Sequence, residues 1–298
     1  MNRKQKIIAI VGPTATGKSA LGVYLAKKFG GEIISADSRQ VYRGLDIGSG
    51  KITKREMQGV PHHMLDVASP LRIYSVSRYQ KEAEKVLASI LARGKTPIVV
   101  GGTGLFVDAL LLGKGFPDVP PNMALRKKLE KIAEELFLIL KKLDPRRAKT
   151  IEKENPRRVI RAIEIARTLG SVPHLEVKLP SSSTVLWIGL TLPEKELRKK
   201  IRIRLFARIK KGMIMEVKKL RKNGLSWRRL EGFGLEYRYI ALFLQKKLSK
   251  EEMVQKLETE IWRYTRRQLR WFKRNKNINW FNPSEKHEIE KTVQKFIL

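Results

Sequence analysis

The stretch that decides the fold spans residues 12–19 and reads Gly12, Pro13, Thr14, Ala15, Thr16, Gly17, Lys18 and Ser19. It matches the pattern G-x-x-x-x-G-K-[ST] of a phosphate-binding loop. An apolar segment from Lys6 to Val11 reads as a strand before it, and Lys18 to Phe29 reads as a helix after it. In that context the loop N–H groups face a phosphate, Lys18 adds a positive charge and the Ser19 hydroxyl suits Mg²⁺. The sequence therefore predicts a phosphate-binding loop with Mg²⁺ as its cofactor.

Strand and helix patterns alternate over the rest of the first 113 residues. Glu32–Ser35 and Pro97–Val100 read as short buried strands, and Tyr74–Arg93 reads as a long amphipathic helix between them. Such alternation is typical of an α/β fold. We expect a P-loop-type doubly wound parallel sheet as the core, with residues 1–115 as its first part.

A helical insertion is predicted to interrupt this core. Residues 116–180 begin with a proline-rich turn and continue with helical patterns and no strand signal. Thr184–Leu192 then alternates and contains β-branched and aromatic residues, so it reads as a strand that returns to the sheet. After Pro193 the pattern is helical to the last residue. Residues 181–298 are therefore expected to supply one core strand and a basic helical C-terminal part.

The composition indicates a soluble protein of a reducing compartment. There is no cysteine, which excludes disulfides and zinc-thiolate sites and favours a cytoplasmic location. The most apolar later stretch, Pro97–Gly113, contains Asp108 and four glycines and makes a poor membrane span. We expect no membrane association, and a monomer is the default expectation.

The charge of the chain is strongly positive and unevenly distributed. Lysine and arginine number 63 against 29 acidic residues, giving a formal net charge of +34. Residues 1–120 contain 18 basic and 9 acidic side chains, whereas residues 121–298 contain 45 and 20. A surplus of this sign suits a polyanion such as RNA. The alternative, a general lysine bias of thermophilic type, predicts that acidic residues rise with lysine, and they do not.

The phosphate-binding loop does not by itself identify the ligand. An ATP-dependent small-molecule kinase is one interpretation. Against it, the next core strand ends in VVGGTG, residues 99–104, where Thr103 offers a hydroxyl instead of the expected carboxylate ligand for magnesium. A non-catalytic RNA-binding protein with a P-loop is a further alternative.

Motifs along nearly the whole chain, in the same order, resemble those of the tRNA dimethylallyltransferases, also called tRNA isopentenyltransferases. Besides residues 12–19 the matching segments are ISADSRQVYRGLDIG at 34–48, PHHMLD at 61–66, VVGGTGL at 99–105, PRR with RA at 156–158 and 161–162, and RQ with WF at 267–268 and 271–272. The segment from Ser35 to Gly48 is the most specific, because common kinases do not contain it. The resemblance implies transfer of a dimethylallyl group from dimethylallyl diphosphate to the N6 amine of the adenosine beside the anticodon of tRNA.

The resemblance also implies roles for individual residues. Asp37 resembles the general base of the family, Thr103 the threonine near the scissile oxygen, and Arg204 the diphosphate-binding arginine. These roles fit the chemistry, because an exocyclic amine needs a proton acceptor and the leaving diphosphate needs positive charge, which Lys18 also supplies. Asp37 follows the second strand, at the edge of a parallel sheet where ligands bind. Its alternative role is to cap the next turn.

Contacts with tRNA are implied for a second set of residues. Ser38, Arg39 and Gln40, together with Asp37 and Thr103, resemble the positions that meet the target adenosine. Four arginines resemble those that hold the anticodon stem-loop, namely Arg126, Arg157, Arg158 and Arg161. The last three lie at spacings that place them on roughly one helix face. Such a face is often only solvated.

Overall fold

The protein is described by a computed structural model, which covers residues 5–113, 116–117, 119–173 and 183–298. Its six strands are β1 Gln5–Val11, β2 Gly31–Ser35, β3 His62–His63, β4 Thr96–Val100, β5 Ser183–Leu190 and β6 Ile278–Phe281. All described pairings between them are parallel, and the strand order across the sheet is β3, β2, β4, β1, β5, β6. The predicted fold class, an α/β protein with a parallel sheet, is confirmed.

Helices connect the strands on the N-terminal side of the chain. They are α1 Lys18–Phe29, α2 Lys54–Met57, α3 Val76–Ala92 and α4 Gly104–Leu111. Helix α1 has the predicted bounds, and α3 is slightly shorter than predicted because the Ser75 hydroxyl accepts a hydrogen bond from the Arg78 N–H and starts the helix there. The P-loop thus leads from the central strand β1 into α1.

Both faces of the sheet are covered by apolar side chains. In β1, Ile7, Ala9 and Val11 face one hydrophobic cluster, whereas Ile8 and Ile10 face another. The alternation follows from the two-residue period of a strand, and burial on both faces explains why β1 reads as a continuous apolar run. The sheet is therefore a central layer whose upper edge, where the parallel strands end, carries the loops described below.

The C-terminal part contains one strand that the sequence interpretation missed. After α9 Glu194–Lys210, α10 Met213–Lys222, α11 Trp227–Gly232, α12 Leu235–Leu244 and α13 Lys250–Phe272 comes β6, followed by α14 Lys286–Ile297. The expectation of helix to the last residue is therefore wrong. Strand β6 has only four residues and pairs with β5 from Trp187↔Ile278 to Leu190↔Phe281. It is an edge strand that depends on this pairing, which no local pattern reveals.

The chain divides into two compact units. One consists of Met1–Gly113 and Leu179–Leu298, and the other of Lys114–Lys178. The second unit contains the helices α5 Met123–Leu129, α6 Leu136–Leu143, α7 Pro145–Thr150 and α8 Pro156–Leu169, with a hydrophobic cluster of its own. No helix in the described part of the chain is long and apolar enough to cross a membrane.

Candidate active site

The phosphate-binding loop has a backbone that requires glycine at two positions. Gly12 has φ 134°, and a Cβ there would lie 2.3 Å from the Leu190 carbonyl oxygen. Gly17 has φ 86° and is the residue that opens α1. The buried Thr16 hydroxyl donates to the Pro13 carbonyl at 2.9 Å. These features hold the loop in a tight curl at the N-terminus of a helix, where anions bind.

Lys18 is placed to meet a phosphate. Its Nζ donates to the Pro13 carbonyl oxygen at 2.6 Å, within the loop itself. The side chain is half-buried, and loss of solvation together with the nearby charge of Arg204 lowers the pKa of Lys18 to about 7, although Asp37 opposes this shift. An added negative charge between Lys18 and Arg204 would favour the charged form of the lysine.

Asp37 and Thr103 lie beside each other at the ends of β2 and β4. Asp37 Oδ1 accepts hydrogen bonds from the N–H groups of Arg39 at 2.8 Å and Gln40 at 3.3 Å. Thr103 Oγ1 accepts from the Ser38 N–H at 3.1 Å. One carboxylate oxygen of Asp37 thus caps the turn, as in the alternative role. No hydrogen bond from the described residues reaches the other oxygen, Oδ2, so the turn and a proton-accepting role are compatible.

Gln268 on α13 connects the P-loop to the loop that contains Thr103. Its side chain is 5% exposed. Oε1 accepts from the Thr14 N–H at 2.9 Å and Nε2 donates to the Gly102 carbonyl at 2.8 Å. A Cβ at Gly102 would lie 2.3 Å from that Nε2. Gln268 belongs to one of the matching family motifs, but the motif implied no role for it. Only its long-range contacts reveal that it ties two loops of the site together.

Tyr264, one helical turn before Gln268, also reaches the site. Its hydroxyl contacts the Thr103 side chain, and burial together with the charge of Asp37 raises the pKa of Tyr264 above its usual range. The phenol therefore stays protonated and can donate a hydrogen bond. The sequence contained no separate signal for this residue, because it lies in a stretch where aromatic and basic side chains simply alternate.

Two cavities meet at the P-loop. The smaller has a volume of about 360 Å³ and is lined by polar groups that include Asp37, Ser38, Arg39, Gln40, Tyr264 and Gln268. The larger, about 950 Å³, has a basic lining that includes Lys27, Lys28, Lys51, Lys211 and Lys286. Both are lined by Lys18, Ser19, Gly50, Arg204 and Arg208. The structure therefore brings Lys18, Ser19, Asp37 and Arg204 together around the smaller cavity.

The four arginines expected to hold an RNA stem fall into two pairs. Arg126 donates to both carboxylate oxygens of Glu164, at 2.7 and 2.6 Å, and Arg161 lies 3.2 Å from the same carboxylate. Glu164 is 2% exposed, so these contacts belong to the folded unit itself. Arg157 and Arg158 are exposed in the first turn of α8. The common helix face inferred from the spacing thus has two parts. Arg161 belongs to an internal ion-pair network, whereas Arg157 and Arg158 are exposed and Arg158 pairs with Glu152 at 2.8 Å.

The residues of the site fit one Mg²⁺ ion. Among the described residues no cluster of three histidine, aspartate, glutamate or cysteine side chains could enclose a metal. The Ser19 hydroxyl is exposed and lines both cavities. Mg²⁺ commonly keeps several waters and binds through one or two protein oxygens plus substrate phosphates. A single hydroxyl beside a phosphate-binding loop meets that requirement.

A P-loop on the central strand of a parallel sheet, with a carboxylate and a hydroxyl at the ends of the neighbouring strands, defines a P-loop enzyme acting on a phosphorylated donor. The model of the IPP transferase family matches residues 40–275. The chain belongs to this family. The prediction of a transferase of this kind, made from the motifs, is confirmed.

Curated relatives and solved structures extend the match beyond those residues. The chain is 42% identical to the tRNA dimethylallyltransferase of Thermomicrobium roseum, over 96% of this chain and 88% of that protein. It is 40% identical to that of Pelotomaculum thermopropionicum, over 98% and 96%. The structure of the full-length tRNA isopentenylpyrophosphate transferase of Bacillus halodurans matches with a TM-score of 0.75 and 36% identity, over 98% and 97%. A eukaryotic dimethylallyltransferase acting on tRNA matches with a TM-score of 0.77 and 25% identity, over 98% and 77%.

Proposed function

We propose that the protein transfers the dimethylallyl group of dimethylallyl diphosphate to the N6 amine of the adenosine adjacent to the anticodon in tRNA and releases diphosphate. The relatives carry names of tRNA dimethylallyltransferases and tRNA isopentenylpyrophosphate transferases. The observation that carries the proposal is the meeting of two cavities at Lys18 and Arg204, with Asp37 lining only one of them. With its diphosphate in the P-loop, dimethylallyl diphosphate would present C1 of the dimethylallyl group towards that carboxylate.

The reaction balances with the groups present. The N6 nitrogen forms a bond to C1 of the dimethylallyl group, the bond from C1 to the diphosphate oxygen breaks, and the amine loses one proton. Asp37 accepts that proton through Oδ2, because Oδ1 is engaged by the N–H groups of Arg39 and Gln40. Fixing one oxygen in a turn orients the other, which is what a general base requires.

The leaving group is stabilised by positive charge fixed before the reaction. Lys18 and Arg204 lie on the diphosphate side, and the N–H groups of the P-loop at the start of α1 add partial positive charge. Mg²⁺ held by Ser19 would neutralise further charge on the leaving diphosphate. The Thr103 and Tyr264 hydroxyls, in contact with each other, offer a donor near the scissile oxygen. Gln268 ties the P-loop to the loop that contains Thr103, which keeps the groups of these two loops aligned.

The remaining residues that resemble tRNA contacts of the family bind the RNA. Ser38, Arg39 and Gln40 line the smaller cavity and contact the target base. Arg157 and Arg158 contact phosphates of the anticodon stem-loop, and Arg126 and Arg161 shape the unit that presents them. We infer further that the protein acts in the cytoplasm, because it contains no cysteine. We also infer that it is a monomer, because one chain supplies the groups of the proposed site.

An assay with two labelled donors tests the proposal. The protein is incubated with Mg²⁺ and tRNA, and with either labelled dimethylallyl diphosphate or ATP labelled in its γ-phosphate. We expect label to enter tRNA only from the prenyl donor, at adenosine next to the anticodon. Consumption of ATP that a small-molecule acceptor stimulates, without prenyl transfer, would instead support a kinase.

A further inference from the structure

The Glu216 carboxylate on α10 accepts hydrogen bonds from three successive backbone N–H groups. Oε2 accepts from Asp46 at 3.0 Å and from Ile47 at 2.6 Å, and Oε1 accepts from Gly48 at 3.0 Å. The Tyr237 hydroxyl donates to Oε1 at 2.9 Å. A carboxylate bound by four donors is a strong anchor, because charge-assisted hydrogen bonds are about twice as strong as neutral ones. Glu216 therefore fixes a segment that belongs to no helix or strand.

The anchored segment, residues 46–50, supports the two arginines of α9 that reach the site. The Gly48 carbonyl accepts from Arg208 Nη1 at 2.7 Å, and Arg208 Nη2 pairs with Glu236 at 2.7 Å. The Gly50 carbonyl lies 3.4 Å from Arg204 Nη2. A Cβ at Gly50 would lie 2.4 Å from that nitrogen. The Arg204 guanidinium thus rests against the backbone of this segment, with no space for a side chain between them.

The same segment separates the two cavities. Gly48 and Ser49 line the smaller cavity, Asp46 and Ile47 line the larger one, and Gly50 lines both, as Arg204 does. A shift of the segment would therefore move the wall and the arginine together. None of the Glu216 oxygens lines either cavity, so any effect of this residue on a ligand must pass through the groups it holds.

We propose that Glu216 is a positioning residue that places Arg204 for the donor diphosphate by holding residues 46–50. The inference rests on the donor site proposed above. The substitution Glu216→Gln tests whether a carboxylate is needed, because it replaces the carboxylate with an amide of the same size. Glutamine has one oxygen and an NH₂ group that cannot accept hydrogen bonds, so its NH₂ group would face N–H donors of the segment or the Tyr237 hydroxyl.

A double-mutant cycle with Arg204→Ala separates positioning from a general effect on folding. Binding of inorganic diphosphate with Mg²⁺ is measured by calorimetry for wild type, Glu216→Gln, Arg204→Ala and the double variant. We expect Glu216→Gln to weaken binding about 10-fold in the wild-type background, the effect of losing a hydrogen bond to a charged group. In the Arg204→Ala background the same substitution should weaken it less than about twofold.

Glu231→Gln is the matched control. It makes the same change of size and charge on α11, where Glu231 accepts a hydrogen bond from Gln245 and lines neither cavity. We expect diphosphate binding within twofold of wild type for this variant. Should Glu216→Gln unfold at the assay temperature, Tyr237→Phe takes its place in the cycle, because it removes only one of the four donors. It should show a smaller coupling of the same sign.

Two results would overturn the inference. One is unchanged diphosphate binding by folded Glu216→Gln, and the other is an equal loss with and without Arg204, which indicates a general effect on folding. Failure of the wild-type protein itself to bind diphosphate would contradict the proposed donor site and remove the basis of this inference. The wild-type titration thus distinguishes failure of the proposed function from failure of the role of Glu216.

Discussion

We expect the protein to take up a proton at Lys18 when it binds diphosphate. The reason is that the pKa of Lys18 is lowered to about 7 from its ordinary value of 10.5. Burial is the main cause, so in the folded protein the charged ammonium costs stability. That cost is fully present below about pH 7 and is relieved as pH rises from about 7 towards the ordinary pKa of 10.5. Diphosphate reverses the preference, since its negative charge lies beside the ammonium. Binding above pH 7 must then bring a proton to Lys18.

The number of protons follows from the pKa. At pH 8 about one tenth of Lys18 is charged in the free protein, so binding should take up about 0.9 proton at this residue, against about 0.1 at pH 6. Calorimetric titration of inorganic diphosphate with Mg²⁺ in two buffers of different ionisation enthalpy measures this number. Lys18→Arg is the control, because its guanidinium remains charged throughout. Protons exchanged by the ligand itself are common to both proteins.

The difference between the two proteins therefore reports Lys18 alone. We expect wild type to take up about 0.9 proton more than Lys18→Arg at pH 8 and nearly the same number at pH 6. Equal uptake at pH 8 would mean that Lys18 is already charged in the free protein. The account of its burial between Pro13 and Arg204 would then be wrong.

Three further predictions address the other groups of the site. Asp37→Asn should lower kcat by about 10² to 10⁴-fold while the affinity for diphosphate, measured by calorimetry, stays within a few-fold; near-normal turnover would exclude Asp37 as the base. Gln268→Met should lower the free energy of unfolding in urea by about 2 kcal/mol, since it leaves the Thr14 N–H and the Gly102 carbonyl without their partner; a change within error would show that solvent replaces both bonds. Combined replacement of Arg157 and Arg158 by serine should reduce the slope of log affinity for tRNA against log salt by about two without changing the melting temperature, and an unchanged slope would mean that this end of α8 is only solvated.

The sequence was sufficient where structure is set by local pattern. The strand before the P-loop, the loop and α1 follow from a run of buried apolar residues, two glycines and a helical repeat, and the structure has them at almost the predicted bounds. Asp37 and Thr103 could be placed at one sheet edge because parallel strands end on the same side. Their closeness through Ser38 confirms that placement.

Contacts between residues far apart in the sequence could not be predicted from local sequence patterns. The bond between Thr14 and Gln268 spans 254 positions, and the pairing of Arg126 with Glu164 spans 38. Helical spacing placed Arg161 on a basic face one turn from Glu164, but it could not reveal that Glu164 is buried and shared with Arg126. Strand β6 escaped prediction for the same reason, because its four residues gain their conformation from β5 rather than from their own sequence.

The position of the insertion has a consequence for the order in which the protein can fold during its synthesis. Strand β1 lies between β4 and β5, yet β5 follows the insertion in the chain. The ribosome therefore releases β1 to β4 first, and one edge of β1 stays unpaired until β5 is made. The helices of Lys114–Lys178 are contiguous in the chain and can already pack through their own contacts. An exposed strand side is a site of aggregation. Truncated chains that end before β5 should accordingly precipitate, and chaperones that bind extended apolar segments should hold the nascent protein at this stage.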